Sequence, residues 1–79
     1  LCRATVDRDP KAAAGVTTCR AALALDGQNA LARYVLGKAL VARGECAAAR
    51  TELDAFRALP GVKPEAKEGA AKLLAGCGK

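Results

Sequence analysis

The chain has 79 residues and a formal net charge of +5, from 13 Lys and Arg against eight Asp and Glu, and it contains no His. A domain of this length buries only about 60% of the surface that its unfolded chain exposes, and with one Tyr, one Phe, no Trp and no Met it has few large side chains for a core. No apolar run approaches the roughly 18 to 20 residues of a membrane-spanning helix, which argues against such a helix within this sequence.

The first predicted helix covers residues 1–8, where Cys2 and Val6 are spaced to face a single packing partner. It makes only about two turns, so we expect its beginning to be missing or short. Because the sequence opens on Leu1 rather than Met, we expect a processed or excised piece, in which the absence of a signal peptide is uninformative.

A second helix is predicted over residues 10–25. Asp9 suits its N-cap, and Pro10 suits the first helical position because no amide hydrogen is required there. A turn follows, in which Gly27 ends the second helix and Asn29 caps the third.

Residues 29–60 predict two amphipathic helices joined by a tight turn. Gly44 suits a helix end in the left-handed conformation, and the carboxylate of Glu45 favours the positive end of the next helix.

The earlier helix has an apolar surface wider than one stripe, so it must be covered on more than one side. Its large apolar residues are Leu31, Tyr34, Val35, Leu36, Leu40 and Val41. The later helix has one narrower stripe, formed by Cys46, Ala49, Leu53, Phe56 and Leu59. The product is an antiparallel helical hairpin.

A last helix is predicted to begin after the proline and glycine residues of 60–64. Its first turn carries Glu65 and Glu68, whose negative charge is favourable near the positive end of a helix. It is expected to end at 76–78. Gly69 in its interior costs about 1 kcal/mol relative to Ala, so we expect close packing against that position.

The four cysteines have no CxxC spacing and no His beside them, which argues against a zinc site. Two readings remain on the residues alone. The thiols are free and buried as small apolar groups, or they form two disulfides, for which three pairings exist.

The second predicted helix is repeated later in the chain. When the sequence is aligned with itself after a shift of 34 residues, residues 11–27 match residues 45–61 with seven identities. The same shift aligns Lys38 with Lys72. The identical residues of the earlier segment are Ala13, Ala14, Thr17, Ala21, Ala24, Leu25 and Gly27. We therefore expect an array of helical repeats.

These residues resemble the tetratricopeptide repeat family. The matching positions are Leu36, Gly37, Leu40, Gly44, Ala49 and Leu53, with Leu59 and Pro60 in the closing region. The sequence departs from the family pattern at Arg33, where an aromatic residue is common, and at Phe56, where a small Ala is usual. The resemblance implies an all-α, right-handed α-solenoid of antiparallel hairpins with about five helices. It would be a single domain with a partial repeat at 1–29, a full repeat at 30–63 and a capping helix at 64–79.

The same resemblance implies a pairing for the cysteines. In such a fold Cys2 lies opposite Cys19 in its hairpin partner, and Cys46 lies beside Cys77 at the end of the antiparallel helix. Two disulfides would stabilise an array of only two and a half repeats, and they would place the protein in an oxidising compartment, periplasmic, cell-surface or secreted. The alternative is a cytosolic protein with free thiols.

Catalysis finds almost no support, because the chain has no His, no Ser and no phosphate-binding loop. We therefore expect no enzymatic activity, no cofactor and no metal. The basic residues are spread over every predicted helix and interleaved with acidic ones, which argues against nucleic-acid binding. An anionic lipid or cell-wall surface is a similarly unspecific alternative.

The expected function is therefore binding of a partner protein or peptide. In the resembled family the first helices of the repeats line a concave groove, and this would place Leu31, Tyr34, Lys38, Val41 and Lys72 in it. On the alternative interpretation, Lys38 and Lys72 are merely solvated and Tyr34 lies at the edge of the core.

A rival hypothesis is a structural subunit. A solenoid exposes apolar surface at an uncapped end, and here the first helix, with Cys2 and Val6, is short. Unlike but complementary ends can join copies of the chain head to tail into an extracellular oligomer or filament.

Overall fold

Good helix formers, chiefly Ala, Leu, Lys and Arg, fill five segments that glycine, proline and asparagine separate. In the computed structural model, which describes residues 2–9 and 13–77, each of these segments is an α-helix and no strand occurs. The helices are α1 (Cys2–Arg8), α2 (Ala13–Leu25), α3 (Ala30–Ala42), α4 (Cys46–Ala58) and α5 (Pro64–Gly76). The all-α class and the predicted five helices are thus confirmed for the described residues. The predicted start of the second helix at Pro10 lies outside them.

The predicted turn chemistry operates at Asn29 and Gly44, and Gly61 is a second glycine in the left-handed conformation. The Asn29 side chain accepts a hydrogen bond from the backbone N–H of Ala32 at 3.1 Å and so caps α3. Gly44 follows α3 with φ of 76°, and Gly61 follows α4 with φ of 82°, a region that other residues adopt only with strain. Glu45 makes no side-chain cap to α4 and instead accepts a 2.7 Å hydrogen bond from Arg43.

Helix α3 lies at the centre of the molecule and packs against each of the other four helices. In addition α1 packs on α2, and α4 packs on α5, while the described residues of α2 and α4 make no contact with one another. Six residues of α3 are buried, more than in any other helix: Ala32, Val35, Leu36, Gly37, Ala39 and Leu40. The wide apolar surface predicted for this helix is the reason for its central position.

Close contact between helices depends on glycine. A methyl group built on Gly37 of α3 would lie 2.4 Å from the side chain of Leu53 on α4. Similarly, one built on Gly69 of α5 would lie 3.3 Å from the hydroxyl of Tyr34. The close packing predicted at Gly69 is therefore observed.

The two departures from the family pattern have distinct structural roles. Arg33 is largely buried and donates one hydrogen bond to Glu52 on α4 at 3.0 Å and another to the Gly27 carbonyl at 2.9 Å. Phe56 is 4% exposed, and its ring centroid lies 5.1 Å from that of Tyr34. The larger ring fills space between α3, α4 and α5, where Ala70, Leu73 and Leu74 of α5 belong to the same apolar cluster.

All four cysteines are paired. Cys2 is bonded to Cys19, with Cα atoms 4.6 Å apart, and Cys46 is bonded to Cys77, with Cα atoms 5.7 Å apart. These are the two pairs that the family resemblance implied. The first ties α1 to α2, and the second ties the start of α4 to the residue after α5.

Candidate functional site

The face of α3 between its contacts with α1 and α5 is exposed to solvent. Leu31 and Lys38 are seven residues apart, so they lie on one stripe of the helix, and both are exposed. To one side the carbonyl of Ala32 contacts the sulfur of Cys2 at 3.8 Å, and to the other Tyr34 approaches Gly69. No described residue forms an ion pair with Lys38. This stripe therefore offers one large apolar group and one cation.

Two of the predicted groove residues make packing contacts within the chain. Tyr34 and Val41 are half-buried and lie in the apolar cluster that joins α3, α4 and α5. Tyr34 contacts Phe56 through its ring. Their available surface is therefore smaller than that of Leu31 or Lys38.

Lys72 lies on the exposed face of α5. Its ammonium group is 3.7 Å from the Glu68 carboxylate, and the two side chains are 77% and 69% exposed. An ion pair that is so exposed contributes little to stability, so Lys72 remains available to a ligand. Together with Glu65 and Lys67, which are also exposed, this pair makes the outer surface of α5 charged and of mixed sign.

An apolar depression of about 370 Å³ lies where α1 begins. Helix α2 continues for six residues beyond Cys19, to Leu25, whereas α1 begins at Cys2, the partner of Cys19. No described helix covers the last turns of α2 and the first turn of α3. The apolar part of the lining consists of Cys2, Ala21, Ala22, Leu25, Leu31 and Ala32, with Arg3 also present.

Two leucines make this depression unusual on the surface. Leu25 is 91% exposed and Leu31 is 55% exposed, and no other large apolar side chain among the described residues is exposed. Sequence reasoning identified Leu31 but missed Leu25 and the depression itself. A signal was the position of Leu25, a large apolar residue next to the predicted turn.

The electrostatics of the surface do not single out one charged site. Exposed cations occur on every helix, at Arg8, Arg20, Lys38, Arg50 and Lys67. Within 2–9 and 13–77 no group of three or more His, Cys, Asp or Glu residues could hold a metal ion. None of the helices described is long and apolar enough to cross a membrane. The arrangement can thus bind apolar side chains at the depression and anionic groups at scattered cations.

Comparison with known proteins finds no matching family model, no matching curated protein and no matching solved structure. Function is therefore inferred from the geometry of this chain. The apolar depression and the exposed stripe of α3, which share Leu31, are the surface features that differ most from their surroundings.

Proposed function

We propose that the chain is a non-catalytic interaction module of tetratricopeptide type, which binds a partner protein or peptide. Its five helices would form a short right-handed α-solenoid over residues 1–79. The order of helix contacts supports this arrangement, because α1, α3 and α5 pack side by side in sequence while α2 and α4 do not meet. Stacked helix pairs, each in contact only with its neighbours, produce that pattern.

The observation that carries the proposal is the exposure of Leu25 and Leu31 around the depression. A contiguous apolar patch on a small charged protein marks a surface that another molecule covers. Leu31 also lies on the same stripe of α3 as Lys38. A bound peptide that reaches both residues would place an apolar group near Leu31 and an anionic group near Lys38.

The proposed location is outside the cytosol, in the periplasm, at the cell surface or in the medium. Both pairs of cysteines are disulfide-bonded, and such bonds persist in oxidising compartments and are rare in the cytosol.

The two ends of the molecule favour a binding module over a filament subunit. At one end the leucines of the depression are exposed, whereas at the other the outer surface of α5 carries Glu65, Lys67, Glu68 and Lys72. An apolar end and a charged end are not complementary, so head-to-tail contact would bury charges against leucine.

The binding proposal is tested by selecting peptides from a display library on the oxidised protein. We expect the selected peptides to lose at least about tenfold in affinity, or about 1.4 kcal/mol, when Leu31→Ser and Lys38→Ala are combined. The matched control combines Ala47→Ser and Arg50→Ala, two exposed positions on α4, and should leave affinity unchanged.

Circular dichroism of both variants checks that the helices are retained. Peptides that bind the first variant normally and lose affinity for the control would place the binding surface on α4 and contradict the proposal.

A further inference from the structure

The two disulfides differ in their access to solvent. Cys2 is 7% exposed and Cys19 is fully buried, whereas Cys46 and Cys77 are each half-buried. Thiol–disulfide exchange requires that an attacking thiolate reach a sulfur atom of the bond. A dithiol in solution or on another protein will therefore react first with the bond between Cys46 and Cys77.

This accessible disulfide holds one end of α5. At its other end the helix is joined to α4 through residues 59–63, which include Gly61 in the left-handed conformation. Between these two attachments α5 buries little, since Ala70 is its one fully buried residue while Leu73 and Leu74 are half-buried. Opening of the disulfide therefore removes the covalent tie between the end of α5 and the start of α4.

The surface beneath α5 is apolar. Leu53 and Phe56 of α4 are 0% and 4% exposed, and Tyr34 and Val41 of α3 pack against the same cluster. Movement of α5 would bring these four side chains to solvent. The other helices share a core of nine buried residues, tied by the buried disulfide between Cys2 and Cys19. Of α5 only the half-buried Leu74 packs against this core, so these helices can stay folded.

We propose that the Cys46–Cys77 disulfide is a redox latch on α5. Reduction by a dithiol removes the covalent tie between the end of α5 and the start of α4, so that α5 moves away from α4 and uncovers the apolar face formed by Leu53, Phe56, Tyr34 and Val41. This device does not depend on the binding surface at Leu31 and Lys38, because neither residue belongs to the apolar cluster beneath α5.

The chemistry is a balanced two-electron exchange. One thiolate of the dithiol attacks Cys46 or Cys77, breaks the protein disulfide and forms a mixed disulfide. The second thiolate of the dithiol then attacks the mixed disulfide and displaces the protein sulfur in it. The reductant leaves as a disulfide, and the two protein sulfurs take up protons and become thiols.

The first test follows the order of reduction in the wild-type protein. Dithiothreitol is added for increasing times, free thiols are trapped with iodoacetamide, and the alkylated residues are identified by mass spectrometry. We expect Cys46 and Cys77 to be alkylated at least about tenfold faster than Cys2 and Cys19, because the reaction rate depends on access to the sulfur. Equal rates, or earlier alkylation of Cys2 and Cys19, would overturn the proposal.

The second test follows α5 by hydrogen exchange. The variant combines Cys46→Ser with Cys77→Ser and is measured without reductant. We expect the backbone amides of residues 64–77 to lose protection from exchange, while those of α1, α2 and α3 keep it. The binding of an apolar dye should also increase. The matched control, Cys2→Ser with Cys19→Ser, should not release α5 selectively. Protection of α5 equal to that of the oxidised wild type, or loss of protection over all helices together, would rule the latch out.

Discussion

The contact between Gly37 and Leu53 determines how closely the two helices of the central hairpin approach. A β-carbon at position 37 would lie 2.4 Å from Leu53, which no real contact allows. Substitution therefore forces either the Leu53 side chain or the helices to move, and the core around Leu53 is fully buried.

We expect Gly37→Ala to lower the free energy of unfolding by about 1 to 3 kcal/mol through overpacking, although Ala is intrinsically the better helix former by about 1 kcal/mol. Urea unfolding followed by circular dichroism measures the change. Gly76→Ala is the matched control, because nothing lies within 4 Å of the added methyl group, and it should be neutral or slightly stabilising. Equal stability of the two variants would show that α3 and α4 do not approach as described.

The ion pair between Arg33 and Glu52 is a second local feature with a measurable consequence. Its side chains are 20% and 17% exposed, and Arg33 Nε is buried without a hydrogen-bond partner among the described residues. We expect Glu52→Gln to cost about 1 to 3 kcal/mol, because it leaves a largely buried guanidinium without its counter-charge. Glu68→Gln at the exposed pair with Lys72 is the control, and its effect should stay within about 0.5 kcal/mol. The reverse order of effects in urea unfolding would contradict this geometry.

At the scale of whole helices, each disulfide attaches a helix that buries few residues. Helix α1 has seven residues and buries Cys2 and Val6, and α5 fully buries Ala70 alone. The bonds close loops with sequence separations of 17 and 31 residues, so each restricts the unfolded chain substantially.

We expect replacement of either pair by two serines to lower the free energy of unfolding by about 3 to 4 kcal/mol in the chain-entropy model. Removal of Cys2 and Cys19 should cost more than the model predicts, since both lie in the core and a serine hydroxyl at Cys19 would be buried. Guanidinium unfolding of the two double variants makes the comparison. A loss below about 1 kcal/mol for both would mean that helix packing alone holds the fold.

At the scale of the molecule, two unlike surfaces bear on whether copies associate. The exposed leucines lie where α1 begins, and the charged outer surface of α5 lies at the other end, while the net charge is +5. The net positive charge and the mismatch between these two described surfaces both oppose a chain of copies.

We therefore expect the oxidised protein to sediment as a monomer at all accessible concentrations at physiological salt. Analytical ultracentrifugation measures this directly, and Leu25→Ser with Leu31→Ser serves as the comparison. If the wild type grows into polymers that the paired leucine substitutions abolish, then the filament hypothesis is correct and the monomeric binding module is not.

The amino-acid sequence by itself determined the elements of this protein. The periodicity of Leu36, Ala39 and Leu40, the cap at Asn29 and the left-handed turn at Gly44 act within a few residues, so local rules predict five helices and their boundaries. The wide apolar surface of the third helix likewise implied its central place, because such a surface needs neighbours on several sides.

Only the tertiary structure decided which surfaces remain open. Tyr34 and Val41 are partly covered because Phe56 and α5 pack against them, and Leu25 is exposed because no described helix packs over the end of α2. Both outcomes depend on where distant helices start and end relative to each other, and periodicity along one helix carries no information about that register.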